Sequence, residues 1–261
     1  MKTNARTTSY SIVEDSVPKE LWVENAALAE ELMAMIGNHP LMKHPIAERM
    51  SEGGFDAEGL RYFHLEYRYA FAQPFTTALS QAMVLAAGLE DRLGAIGPIS
   101  ARFLFTLNML DELGYRAVGG EFGGTPLDSH YMRLQGIFDQ LGVDAAARRD
   151  YVPTEAAAAC RGIVEENYGD YLRLTAALAL IETIAPPFMG AVLDNLQVQQ
   201  SEGKDPDYYE EHAEGDDVHA RDSWIALTQA LTLDRHDEIR AAVKDWLDRI
   251  LSLADTILAR M

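Results

Sequence analysis

From Pro18 to the C-terminus, apolar residues recur at intervals of three and four, and no stretch shows the β-branched alternation that a half-buried strand requires. Sheet-based folds are removed by that regularity. In PKELWVENAALAEELMAMIG the positions Leu21, Ala27, Leu28, Leu32 and Met35 keep the helical interval, with a proline at the start and Gly37 as the stop. FDAEGLRYFHLEYRYAFAQPFTTALSQAMVLAAG opens on Asp56 as a cap with Glu58 behind it, closes at Gly88, and should kink at Pro74. Further amphipathic segments follow to Met261, interrupted by the glycine-rich AVGGEFGGTP. No repeat, linker or composition shift divides the chain. The expectation is a single all-α domain over residues 18–261, built of about eight to ten helices, behind a flexible polar arm at 1–17.

Charge narrows the partners. The chain has 22 basic and 41 acidic residues and a net charge of −19, which argues against nucleic acid and anionic membrane. No apolar run reads as a bilayer span and the N-terminus lacks an export signal, so a cytoplasmic protein is expected. Cys160 has no second cysteine to pair with. It sits in EAAAACRGIV, where a packed thiol is a better reading than a nucleophile.

The chemistry concentrates in YYEEHAEGDDVHARD. At 100° per residue, His212, Asp216 and His219 fall within about 60° of one another on one helix face. Tyr208, Tyr209, Gly215, Ile225 and Leu231 flank that stripe and turn it inward, where such groups need partners or a metal. The alternative is an exposed acidic face with incidental histidines. Other helices supply matching groups. Glu182 is the only acid for more than ten residues either way in an apolar helix, and Phe105, Met109 and Glu112 form an i, i+4, i+7 row that turns Glu112 inward and leaves Asp111 to cap or solvate. His130 opens the helix after the glycine-rich break. His212 and His219 lie about 10.5 Å apart along the axis, which suits two ions better than one. Mixed oxygen and nitrogen ligation fits iron or manganese used with dioxygen rather than a structural zinc. A ferritin-like Glu-x-x-His pair is missing, because Tyr115 and Ala185 stand three residues after Glu112 and Glu182.

From about residue 30 onward, NMLDELGY, SHYMRLQGIFDQLGV, ALIETIAPPF and HAEGDDVH make the sequence resemble the haem-oxygenase-like di-iron oxidases and oxygenases. The resemblance implies a helical bundle of about seven core helices with short N-terminal additions. It also implies two Fe(II) ions, with manganese as the alternative, held by Glu112, His130, Glu182, His212, Asp216 and His219, and O2 as co-substrate. Members desaturate, cleave carbon–carbon bonds or oxygenate nitrogen. Fatty-acid members that form alkenes carry a carboxylate where Gln73 aligns and a histidine where Tyr115 aligns. A member that consumes its own side chains carries tyrosine and lysine where Ala47 and Val192 stand. Neither activity is therefore expected.

The function expected is an O2-dependent oxidase or oxygenase acting on a small amino-acid-like or amine metabolite in a biosynthetic pathway. An external electron donor and a homodimer are compatible with it. Phe63, Tyr67, Phe71, Phe75 and Phe188 are candidates to line the site, and Gln73, Tyr115 and Arg116 to orient substrate. Two alternatives remain: a metal-free binding protein of the same fold, and a thiaminase-like hydrolase, which would need Cys160 as nucleophile.

Overall fold

The computed structural model describes residues 5–118, 121–199 and 205–261; the side chains of Ala5, 117–122 and 214–217 lie outside the description. The helices are α1 (Ala5–Asp15), α2 (Lys19–Asn38), α3 (Pro45–Ser51), α4 (Ala57–Tyr67), α5 (Gln73–Leu85), α6 (Glu90–Leu93) and α7 (Ile96–Glu112), then α8 (His130–Gln140), α9 (Ala145–Arg149), α10 (Glu155–Glu165), α11 (Tyr171–Val198), α12 (Pro206–Ala230) and α13 (His236–Leu258). The excess over eight to ten comes from single turns such as α6 and α9, and from α4 and α5 being one rod divided by a π turn at Arg68–Ala72. That wide turn stands where the sequence predicts a kink at Pro74, which lacks an N–H for the carbonyl four residues back.

α11 is the axis of the bundle, packed along α12 and touched by α3, α5, α10 and α13. Ala176 to Leu180 are fully buried on consecutive positions, so no face of that stretch meets water. Among the described residues α11 is the one helix long and apolar enough to cross a membrane, which the sequence reading did not anticipate; 61% of its apolar window is buried inside the bundle, as a core helix requires. Pro186 and Pro187 lie within it. They have no N–H to offer the carbonyls of Glu182 and Thr183, so the backbone hydrogen-bond ladder is interrupted beside the acid.

Two departures from the sequence reading bear on the site. The glycine-rich break is an antiparallel hairpin of β1 (Arg116–Val118) and β2 (Glu121–Gly123), with Arg116 opposite Gly123 and Val118 opposite Glu121. Three-residue strands are too short to show a period of two. The second departure is the arm: Ala5–Asp15 is helical and docks on α7 and α12. Its anchor is Asp222, 1% exposed, which accepts Tyr10 Oη at 2.7 Å and Arg6 Nε at 3.0 Å. Burial, reinforced by the Asp222 carboxylate, pushes the Tyr10 phenol up to about 12. The sequence showed a polar segment without period because few of its residues reach the core and its buried anchor, Asp222, is more than 200 positions away.

Removing that carboxylate takes one acceptor from the half-buried Arg6 guanidinium and one from the Tyr10 phenol. Asp222→Ala is expected to cost about 2 kcal/mol and to lower Tm by about 4–8 °C. Urea denaturation followed by circular dichroism checks it; an unchanged midpoint would show that α1 is held by other contacts.

Candidate metal centre

Glu112 is the last residue of α7 and His130 the first of α8, so 18 residues of sequence separate them. Closure of the hairpin brings them together. Gly114 and Gly124 both have positive φ, at 80° and 98°. A Cβ on Gly124 would stand 1.9 Å from the Gly114 carbonyl oxygen, and one on Gly114 would stand 2.6 Å from the Asp128–Ser129 backbone. Only glycine lets the strands cross so tightly. Beyond the crossing, Thr125 and Asp128 form a capping box, and Ser129 caps α8 through Met132 N. The outcome is His130 Nδ1 at 3.0 Å from Glu112 Oε1.

His212 arrives from α12. Its ring lies 4.5 Å from that of His130, and the ligand atoms of Glu112, His130 and His212 all fall within 4.8 Å of one another. His212 Nδ1 donates to the Tyr208 carbonyl at 2.6 Å, one turn back on the same helix. With its proton fixed there, Nε2 presents a lone pair, the arrangement by which backbone carbonyls orient metal-binding imidazoles. Burial, helped by the neighbouring His130, pulls the His212 pKa down to about 4, so the ring is neutral near pH 7. Burial alone would raise the Glu112 carboxyl, yet His130, with His212 and His219 adding to it, holds it below its ordinary value. One carboxylate and two imidazoles, one of them neutral with an oriented lone pair, suit a divalent transition ion.

The other expected ligands are engaged differently. Glu182 is buried on α11, and Asn108 Nδ2 donates to its Oε1; Asn108 Oδ1 is buried without a partner. His219 Nε2 meets Asp111 Oδ2 at 2.9 Å. The side chain of Asp216 lies outside the described residues. Asn108 and Asp111, the partners of Glu182 and His219, were passed over, although Asn108, like Glu182, stands in a mostly apolar stretch, FLFTLNML.

A cavity of about 110 Å³ opens beside the trio. Phe63, Tyr67, Phe71, Phe75 and Phe188 line it, as do Glu112, His130, Glu182 and His212, with Ile250, Leu253 and Ile257 of α13 also on its wall. None of the expected substrate-orienting residues is on that wall. Gln73 sits behind it, bonded to Tyr131 and Arg161. Tyr115 is exposed at the base of the hairpin, and Arg116 pairs with Glu211 at 2.9 Å. The apolar period places helices in a bundle but gives no account of which polar tips at helix ends reach the interior. Cys160 is fully buried, and burial pushes its thiol up to about 12, which removes it as a nucleophile.

α12 is held for this purpose by its neighbours. Tyr209 Oη reaches His64 Nε2 at 2.7 Å, and the opposite ring nitrogen donates to the Leu60 carbonyl at 2.6 Å, joining α12 to α4. Arg133 on α8 forks onto Asp205 at 2.8 and 2.9 Å and also meets Glu211. The N-terminal end of the ligand segment is therefore fixed to the helices facing it.

Fold and centre together define a helical-bundle protein with an interior carboxylate–imidazole site against an apolar cavity. The chain belongs to the family described as "Iron-containing redox enzyme", of the haem-oxygenase-like fold, whose sequence model matches residues 79–252. A CADD-like protein of unknown function from Nostoc punctiforme shares the fold, with a TM-score of 0.66 and 16% identity, over 91% of this chain and 98% of that one. No curated protein matches.

Two outcomes test the geometry. Gly124→Ala should force Glu112 and His130 apart and weaken binding of Co(II), a spectroscopic stand-in for Fe(II), by about tenfold or more; titration of the visible ligand-field bands reads it. The second concerns pH. The folded pKa of His212, about 4, lies below the ordinary 6.5, so between those values the unfolded chain binds a proton that the folded chain does not. Stability of the metal-free protein therefore falls as pH drops through that window, by up to about 3 kcal/mol from this residue. His212→Asn should flatten the slope between pH 6.5 and 4 in urea titrations, whereas the depressed Glu112 carboxyl acts only below its ordinary 4.5.

Proposed function

We propose that this protein is a non-haem di-iron oxidase or oxygenase that uses O2 on a small metabolite. The observation that carries the reading is the convergence of Glu112, His130 and a neutral His212 on the wall of an apolar cavity that Glu182 also lines. Glu112, His130 and His212 would hold one ferrous ion, and Glu182, Asp216 and His219 would serve the second. When bound, the pair supplies the electrons and open coordination positions for O2.

The chain's own residues do the remainder. The Tyr208 carbonyl keeps the His212 lone pair directed away from its own helix, and aromatic and aliphatic walls exclude water from the oxidising centre. Asn108 on Glu182 Oε1 and Asp111 on His219 Nε2 would orient these two groups toward the second ion. They are also the groups that hold this half of the site when it carries no cation. An amino-acid-like or amine substrate fits this cavity with its polar end at the ligands and its apolar part along α11. Among the described residues no Lys or Arg lines the wall, and Glu112 and Glu182 are its only acids. Electrons beyond those stored in the iron pair would come from an external donor.

Anaerobic addition of Fe(II) should load about two ions per chain, and admission of O2 should then give a transient visible band. His212→Ala combined with Asp216→Ala should abolish the band and at least halve the iron bound. Wild-type protein that takes up no iron, or a double variant that takes up as much as wild type, would instead favour a metal-free binding protein.

A further inference from the structure

Tyr131 follows His130 on α8 and lies on the cavity wall. Its oxygen stands 3.2 Å from Arg68 Nε and 3.3 Å from Gln73 Nε2. The orientation of that amide is fixed from behind: Arg161 Nη1, which can only donate, lies 3.1 Å from Gln73 Oε1, so the NH2 end must face the tyrosine. Arg68 is likewise only a donor. A phenol oxygen has two lone pairs and one proton, and here both lone pairs are occupied. Among the described residues no acceptor takes the proton.

The backing groups are themselves immobilised. Arg68 Nη1 donates to the Arg148 carbonyl at 3.1 Å. Arg161 stacks over the Tyr69 ring at 4.8 Å, donates to the Tyr69 carbonyl in the π turn, and pairs with Glu165 at 2.7 Å. The π turn thus carries Arg68, and through Tyr69 holds Arg161 of α10, behind one wall of an otherwise apolar cavity, and neither guanidinium lines it. Their effect arrives through the phenol, as a donor polarised by two incoming hydrogen bonds.

We infer that Tyr131 anchors the substrate: its O–H donates to a carbonyl, carboxylate or hydroxyl oxygen on a molecule whose amino group lies toward Glu112 and Glu182 and whose remaining body is uncharged and apolar. The inference rests on the di-iron reading, since it takes this cavity as the place where substrate meets the metals, and it adds the group the substrate must carry. A head that can only donate finds no lone pair at Tyr131. The body lies against Phe71, Phe188 and Leu253, where each buried methylene adds to affinity and a charge would have no partner. Gln73 and Arg68 are positioning residues, acting only through the phenol.

Octan-2-one, which only accepts, and octylammonium, which only donates, are the probes. Their binding to the metal-free protein is measured by calorimetry with wild type, Tyr131→Phe and Gln73→Leu. Tyr131→Phe should weaken octan-2-one about tenfold and leave octylammonium, drawn to Glu112 and Glu182, unchanged. Gln73→Leu, which keeps the phenol and removes one of its donors, should weaken the ketone by a smaller factor. The inference is overturned if Tyr131→Phe binds the ketone as wild type does, if both probes weaken equally, or if wild type binds no ketone at millimolar concentration. Ferrous uptake by wild type and Tyr131→Phe is measured alongside. Its absence in wild type would sink the di-iron reading and leave the probe result to stand separately.

Discussion

An imidazole carried into an apolar bundle must be answered by whatever faces it, and the architecture of this protein is organised around two of them on α12. His212 and His219 are both 7% exposed, in a helix whose Tyr208 and Tyr209 are more deeply buried still. In such surroundings an unpartnered polar group is costly. α7 therefore ends where it does, placing Asp111 opposite His219 and Glu112 next to His130, while α11 brings Glu182 to the cavity wall. The long apolar helix supplies the dry surroundings that make these pairings strong.

The candidate ligands fall into two groups that differ in their readiness for a cation. Glu112, His130 and His212 already face one another, and only a proton between the first two has to leave when a cation enters. On the other side, Glu182 Oε1 accepts from Asn108 and His219 Nε2 meets Asp111, so only His219 would have to exchange a partner to ligate through that nitrogen. On the di-iron reading the two ions are consequently unequal, the first bound by a prearranged trio and the second with an exchange at His219.

Much of the fold could be read from the sequence because its dominant force is periodic. The α2 region, the Asp56 cap and the interruption near Pro74 follow from apolar spacing and backbone chemistry alone. Glu112, Glu182, His212 and His219 could be singled out as candidates because a charge or imidazole in an apolar stripe is conspicuous. Asp111 escaped notice as an apparent cap, because its partner is 108 residues away and no local pattern encodes that distance. The docking of α1 escaped for the same reason: Asp222 and Tyr10 are 212 residues apart. Tyr131 gave no sign either, since its role depends on Arg68, Gln73 and Arg161 meeting behind one wall.

The crossing of Gly114 over Gly124 separates two quantities usually treated as one, the number of residues between ligands and the distance between them. The length of chain outboard of the pinch does not set the distance between Glu112 and His130. A motif written with a fixed gap between those two residues would then fail to recognise a relative whose centre is the same. A pattern keyed to the paired glycines and the cap that follows them would succeed.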